Sequence, residues 1–175
     1  LIAALEIEYL DGSRENILTD ERWRVLTTPI LFSSIYDGET VDMNAPCEDL
    51  GPARILPHDT SILLPQEGEE IREMGTLSPI AEITTPKGER VLDFGQNLTG
   101  YVRLRARGRQ GETVELSFAE VLDKDGNFYT ENMRSAKNKI LLTLSGDGEM
   151  EYAPAFSFQG FRYVRLDACP PAMTS

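Results

Sequence analysis

Apolar residues in this chain recur at every second position in short runs, and no stretch sustains a helical stripe for three turns. The pattern predicts strands broken by Asp-Gly, Lys-Gly and Gly-x-Gly turns. Its first instance is Leu5-Glu6-Ile7-Glu8-Tyr9, with Leu5, Ile7 and Tyr9 on one face, two glutamates on the other, and a turn at Asp11-Gly12. Further β or irregular pieces are expected around Trp23 to Leu26 and Ile30 to Tyr36, followed by a turn at Asp37-Gly38. A stretch rich in turn formers comes next (Asn44-Ala45-Pro46, Gly51-Pro52, Pro57), and we place a domain boundary there, giving segments 1–50 and 51–175.

The second segment is more regular. Strands are expected near 71–74, 77–84, 90–94, 100–107, 112–120, 139–144, 150–153 and 155–167. Short strands with turn signals between them predict an all-β fold, an antiparallel β-sandwich or jelly roll. Pattern alone also predicts one register, an antiparallel hairpin pairing Val102 with Phe118, Leu104 with Leu116 and Ala106 with Val114, with Arg105 opposite Glu115 and Gly108 and Gly111 in its loop. In the last strand Phe156, Phe158, Val164 and Leu166 read as the core face, while Phe161 and Tyr163 occupy the other face. A strand apolar on both faces is central, packed on another domain, or exposes a binding platform, and the expectation is exposed apolar surface around Phe161 and Tyr163.

Composition narrows the function classes. The 175 residues hold 17 Lys+Arg against 29 Asp+Glu, a net charge of -12, which opposes general nucleic-acid binding because the phosphate backbone requires a basic field. The acidity is concentrated early: residues 1–75 carry 16 carboxylates against 5 basic side chains, and the remainder 13 against 12. No run approaches the roughly 20 apolar residues of a membrane-spanning helix, so no membrane partner is expected. The chain starts at Leu1 without a signal-peptide pattern, and localisation is left unassigned. Cys47 and Cys169 are isolated, which suggests neither a zinc site nor a disulfide framework and leaves one bridge between them open.

Several motifs resolve into structural readings. The alternating Arg103, Arg105, Arg107 and Arg109 form a solvated sheet face rather than an anion site. Asp123-Lys124-Asp125-Gly126-Asn127 starts like a calcium loop, but Phe128 and Arg134 stand where an EF-hand needs Gly and Glu, so a hairpin turn at Asp125-Gly126 is expected and no metal site. Retaining glycoside hydrolysis needs two carboxyl groups about 5–5.5 Å apart and Glu6 and Glu8 share a strand face, yet Asp11 has the opposite parity and the pair reads as a solvated edge. His58, the one histidine, lies in a turn-like surface segment, which excludes a multi-histidine metal site. Asn97-Leu98-Thr99 is a glycosylation sequon whose structural reading is a loop Asn bonding the backbone.

Four stretches in order then carry a resemblance: Asp93-Phe94-Gly95-Gln96-Asn97-Leu98-Thr99-Gly100-Tyr101; Phe118-Ala119-Glu120-Val121-Leu122 with the Asp125-Gly126 turn; Tyr129-Thr130-Glu131-Asn132-Met133-Arg134-Ser135-Ala136; and Phe158-Gln159-Gly160-Phe161-Arg162-Tyr163-Val164. Together they closely resemble the concanavalin-like β-sandwich domain of bacterial α-L-rhamnosidases. Leu18-Thr19-Asp20-Glu21-Arg22-Trp23 and Ile35-Tyr36-Asp37-Gly38-Glu39 resemble the closing part of that family's N-terminal β-sandwich domain. Gln159 stands where many relatives have His, and Ile140-Leu141-Leu142 replaces a more polar strand start.

The resemblance implies a non-catalytic piece of an inverting glycoside hydrolase that removes terminal L-rhamnose. Its acid and base would lie in a following (α/α) barrel of the same parent chain, so no catalytic residue, metal or cofactor is assigned within these residues. Asp93, Gln96, Asn97, Glu120, Asn132, Arg134, Phe161 and Tyr163 are the candidates for contact with carbohydrate or with a neighbouring domain. A rhamnose-containing glycan is the candidate ligand. The alternative is a free-standing carbohydrate-binding module, recognised by aromatic and polar groups converging on one surface. A complete jelly-roll hydrolase using Glu6 and Glu8 is the third, remote reading.

Overall fold

The computed structural model describes residues 2–146 and 148–170, and the backbone of 172–174. In chain order its strands are β1 (Ala4–Glu8), β2 (Arg14–Leu18), β3 (Arg24–Leu26), β4 (Ile30–Ser34), β5 (Gly38–Asp42), β6 (Asp49–Pro52), β7 (Ala81–Thr84), β8 (Arg90–Gly100), β9 (Leu104–Arg107), β10 (Thr113–Ala119), β11 (Val121–Leu122), β12 (Phe128–Tyr129), β13 (Lys139–Thr143), β14 (Glu149–Tyr152), β15 (Gln159–Ala168) and β16 (Ala172–Thr174). Short 3-10 turns occupy Thr60–Ile62 and Glu131–Met133. The chain divides into two compact units, Leu1–Thr28 with Pro46–Arg72, and Pro29–Ala45 with Glu73–Ser175.

The first unit contains two ladders, β1 with β2 and β3 with β6. Asp11 makes the turn of the first, its Oδ1 accepting from the Ser13 backbone N–H at 2.9 Å and from the Ser13 hydroxyl at 2.6 Å, as Asx turns do. Arg24 spans the second ladder to Asp49, with Nη2 2.6 Å from Oδ2. Among the described residues of this unit none is fully buried, and the apolar core lies in the second unit.

There a seven-stranded sheet runs β4-β5-β13-β10-β15-β8-β7, and a three-stranded sheet runs β14-β9-β16. The fold is the expected β-sandwich, with one departure from antiparallel pairing: β5 lies parallel to β13. Val41, Leu104, Ala106, Val114, Leu116, Phe118, Ile140, Leu142 and Phe161 fill the main core. A smaller core on the other face gathers Val91, Ala119, Phe128 and Tyr163 beneath the β11–β12 hairpin. Strand β15 is thus central and covered on both faces, the first of the options that its apolar pattern allows.

The expected hairpin register is not the observed one. Strand β10 pairs with β13 and β15, whereas β9 pairs with β14 and β16. Val102 and Leu104 therefore have no ladder partner in Phe118 or Leu116; the apolar faces of β9 and β10 enter one core from two different sheets. Alternation fixes which side chains face inward but is equally satisfied by an edge-to-edge hairpin and by an arch that crosses the sandwich. Ion pairs follow suit: Arg105 reaches Glu151 at 3.3 Å rather than Glu115, and Glu115 takes Lys139 Nζ at 2.6 Å. Arg103 also meets Glu151, at 3.8 Å, so the arginine stripe is a solvated sheet face with a different carboxylate beside it.

The last strand needs a second correction. Phe156 and Phe158 are 74% and 50% exposed, while Phe161 and Tyr163 are 2% and 9% exposed, so no exposed apolar surface surrounds the latter pair. An irregularity between Phe161 and Tyr163 in the β8–β15 ladder shifts the inside–outside parity: Phe161, Val164 and Leu166 meet the main core, and Tyr163 the smaller one. Upstream of it the inward positions are odd, which turns Phe158 outward. Residues 71–74 form no strand, β14 and β15 leave 153–158 as a connecting loop, and no disulfide joins Cys47 to Cys169.

Inside the second unit Ser33 Oγ and Gln159 Oε1 are buried without a hydrogen-bond partner among the described residues, whereas two glutamates are held by several donors each. Glu39, 2% exposed, accepts from Tyr152 Oη at 2.7 Å and from the backbone N–H groups of Ala155 and Phe156 at 3.3 and 3.4 Å, which anchors the 153–158 loop. Burial, with Glu39 as hydrogen-bond acceptor, pushes the Tyr152 phenol above its ordinary pKa. Glu89 accepts from Thr85 Oγ1, the Phe128 N–H and Arg165 Nη1 at 2.8, 3.1 and 2.8 Å. Arg165 also lies over the Phe128 ring, 4.6 Å from its centroid, and so ties the sheet to its covering hairpin.

Candidate functional site

Five of the eight candidate residues derive their placement from the irregular stretch of the β8–β15 ladder. Asp93 pairs with Tyr163 and Leu98 with Phe161, so four residues of β8, Phe94 to Asn97, bulge against the single Arg162 of β15. Gly95 turns the bulge with φ +79°, a conformation that L side chains avoid, and a Cβ there would lie 2.9 Å from Ile80 Cδ1. Asp93 Oδ1 accepts from the Gly95 N–H at 2.7 Å, and Arg162 closes on the same carboxylate with Nε and Nη2 at 2.8 and 2.9 Å. The Arg162 hydrogen bonds hold the Asp93 carboxyl below its usual range against the opposing effect of burial.

Beyond the bulge the polar candidates converge. Glu120, half-buried between β10 and β11, accepts from Asn97 Nδ2 at 3.3 Å and, on its other oxygen, from Asn132 Nδ2 at 3.3 Å. Asn97 therefore sits on a strand and donates to a side chain; it is not a loop residue bonded to the backbone. Asn132 belongs to the Glu131–Met133 turn, which ends at Arg134 with φ 57° and ψ -114°, a left-handed conformation rare outside glycine. Gly160 lies beside the group: a Cβ there would be 3.7 Å from Glu120 Oε1. Gln96 and Arg134 are exposed, and Phe161 and Tyr163 lie beneath the surface as core. The structure thus unites Asn97, Glu120 and Asn132, joins Asp93 to Arg162, and buries the two aromatics.

Arg162 is the residue that the candidate set omits. Its signal is present in the sequence as a single arginine within an aromatic run, Phe161-Arg162-Tyr163, at the position where the two faces of the strand change roles.

The carboxylates of the other motifs have partners. Glu6 and Glu8 both face Arg14, at 3.5 and 3.4 Å. Asp123 closes the β11–β12 hairpin by accepting from the N–H groups of Asp125 and Asn127 at 2.9 and 2.7 Å, so Asp125-Gly126 is a hairpin turn. Among the described residues no group of three His, Cys, Asp or Glu side chains is arranged to hold a metal ion.

Fold and surface together define a β-sandwich protein with a group of polar side chains beside its β8–β15 ladder. Comparison with known proteins gives the lineage. Residues 83–175 match the bacterial alpha-L-rhamnosidase concanavalin-like domain, and residues 1–74 the alpha-L-rhamnosidase N-terminal domain. The chain belongs to the α-L-rhamnosidase family. An α-L-rhamnosidase of Streptomyces avermitilis is 39% identical over 189 residues, covering 100% of this chain and 18% of that protein. The crystal structure of native α-L-rhamnosidase from Aspergillus terreus superposes with TM-score 0.86 at 32% identity, over 99% of this chain and 21% of that one. The S. avermitilis enzyme complexed with L-rhamnose gives TM-score 0.80 at 36% identity, over 97% of this chain and 18% of that one. The chain therefore spans about a fifth of the length of the relatives it matches, which carry further domains in the same polypeptide.

Proposed function

We propose that this chain serves an α-L-rhamnosidase as its non-catalytic β-sandwich segment, supporting an (α/α) barrel of the parent polypeptide that supplies the acid and base of an inverting hydrolysis. The observation that carries this reading is one of proportion: the match runs along the whole of these residues yet occupies only about a fifth of each rhamnosidase. The state of the carboxylates supports it. Glu6, Glu8 and Asp93 are engaged by arginine, and Glu120 by two amides, which leaves none of them placed as an acid–base pair astride a glycosidic bond. The Asn97–Glu120–Asn132 group is then a wall of the substrate cleft or a contact with the barrel.

The test compares this chain with its full-length parent on p-nitrophenyl α-L-rhamnoside. Turnover by the parent and none by the 175 residues is the expected result. Hydrolysis by the chain alone, abolished in a Glu6→Gln/Glu8→Gln double variant, would overturn the reading in favour of a complete jelly-roll hydrolase.

A further inference from the structure

Register places more than polar groups on the face that carries Glu120. Thr99 pairs with Gly160, and Gln159 with Gly100, in the last rungs of the β8–β15 ladder. Side chains two residues apart on a strand share a face, as do paired residues across a ladder. Thr99 and Gly160 thus belong to one face, Glu120 identifies it by lying 3.7 Å from where a Gly160 Cβ would point, and Asn97 joins it through its bond to Glu120; continuing the alternation one residue past the ends of β8 and β15 adds Tyr101 and Phe158. On that face Phe158 is 50% exposed and Tyr101 37%, at one end of a floor that Gly160 leaves without a side chain. At the other end stand Asn97, Glu120 and Asn132. The neighbours of Phe158 on the inner side, Ser157 and Gln159, are 5% and 3% exposed, and the Glu39 anchor fixes the loop just before them, so the ring is presented by a seated backbone.

We infer that this face is a carbohydrate subsite, with Phe158 and Tyr101 as the apolar wall for a pyranose ring, Gly160 as its floor, and Glu120 with Asn97 and Asn132 as the hydroxyl-binding end. The polar inventory selects the ligand class. Each asparagine spends one amide hydrogen on Glu120 and keeps a second, so the group offers the remaining carboxylate lone pairs and two amide carbonyls as acceptors against two amide hydrogens as donors. Acceptors in excess fit a ligand rich in hydroxyl donors and disfavour a phosphate or carboxylate. Exposed aromatic rings beside such a set supply the apolar body and precise polar groups typical of small-molecule sites. The sugar class follows from this chemistry; the choice of rhamnose among pyranoses rests on the function proposed above.

The experiment is a titration of the chain, labelled with nitrogen-15, with methyl α-L-rhamnopyranoside and separately with methyl β-D-glucopyranoside, following the backbone amides of 97–101 and 158–160. Saturable shifts confined to those amides are expected, with affinity reduced at least about fivefold by Phe158→Ala and by Glu120→Gln, as for loss of a stacking wall or a charged hydrogen-bond acceptor. Gly160→Val fills the floor and should block binding; Gly160 has an ordinary backbone conformation and room for a Cβ, and retained amide dispersion elsewhere verifies that the variant folds. No saturable shift with either glycoside, or shifts that Phe158→Ala and Glu120→Gln leave untouched, would overturn the inference. Binding of the glucoside alone would uphold the subsite while counting against the rhamnosidase reading, and turnover by the parent with no binding here would do the reverse.

Discussion

Arg162 holds both oxygens of Asp93, at 2.8 and 2.9 Å, from the single residue of β15 that faces the four-residue bulge of β8. The pair couples two stretches that lie 69 positions apart in the chain. It also decides which way the bulge opens, since Asp93 grips the Gly95 N–H with one of the same oxygens. Asn97, at the bulge's far end, is thereby delivered to Glu120.

Removing either partner should loosen the bulge more than the sheet. Asp93 is 14% exposed at its side chain and Arg162 37%, so the pair is partly screened, and Arg162→Ala should lower the urea midpoint modestly. Asp93→Ala should cost somewhat more because the Gly95 N–H loses its acceptor. The double variant should fall short of the sum by about 1 kcal/mol, the signature of a direct pair. Strict additivity in that cycle would remove the clamp from the account.

Glu89 supplies a pH dependence with a definite sign. Burial alone would raise its carboxyl, but the Phe128 N–H, the Thr85 hydroxyl and Arg165 outweigh it and hold the group below its ordinary 4.5. A depressed folded value means stability that is complete above the unfolded pKa and is lost as pH falls through the folded one. Glu89→Gln should therefore destabilise by about 1–3 kcal/mol near neutrality, with the gap to wild type closing as pH falls below the ordinary 4.5 and through the depressed folded value. Denaturant midpoints measured across that range check it; a gap that stays constant into acid would show that the charge of Glu89 contributes nothing.

How far the sequence could be read depended on what kind of contact was asked of it. Alternation in β10 correctly marks Val114, Leu116 and Phe118 as inward, and Asp125-Gly126 marks a hairpin, because both are local. The partner of β9 is a long-range choice between an adjacent strand and the opposite sheet, and Leu104 and Ala106 meet the same core either way. The parallel pairing of β5 with β13, about 100 positions apart, leaves no local trace at all. At the candidate site the residue types of Asn97, Glu120 and Asn132 were legible from their motifs, yet their convergence was not, because it is produced by a bulge whose length only the β8–β15 register reveals.

That bulge makes the two ends of β15 separable by mutation. Phe161 packs edge-on against Phe94 and Phe118, with ring centroids 5.4 and 5.1 Å away, and Phe161→Ala should cost about 3–5 kcal/mol. Phe158→Ala, on a half-exposed ring, should stay within about 0.5 kcal/mol. If one continuous parity ran from Phe156 to Leu166, the order would be reversed, so thermal unfolding of the two variants decides between the patterns.

Gly38 offers the sharpest test of the parallel junction. It opens β5 with φ +95°, and a Cβ on it would sit 1.7 Å from the Lys139 carbonyl oxygen, whose strand is the parallel partner. Neither side can yield: the obstacle is backbone, and the left-handed conformation already penalises any L side chain. Gly88 has a similar φ of +82° but open space around it. Gly88→Ala should therefore register only the conformational penalty, about 1–2 kcal/mol. Gly38→Ala must in addition part β5 from β13, taking with it Glu39 and its hold on Tyr152, and should cost at least about 4 kcal/mol or prevent folding. Because a chain that fails to fold gives no stability reading, Gly38→Ala is best compared with Gly88→Ala by soluble yield and amide dispersion as well as by denaturation. Equal behaviour of the two variants would mean that β5 does not dock where the structure puts it.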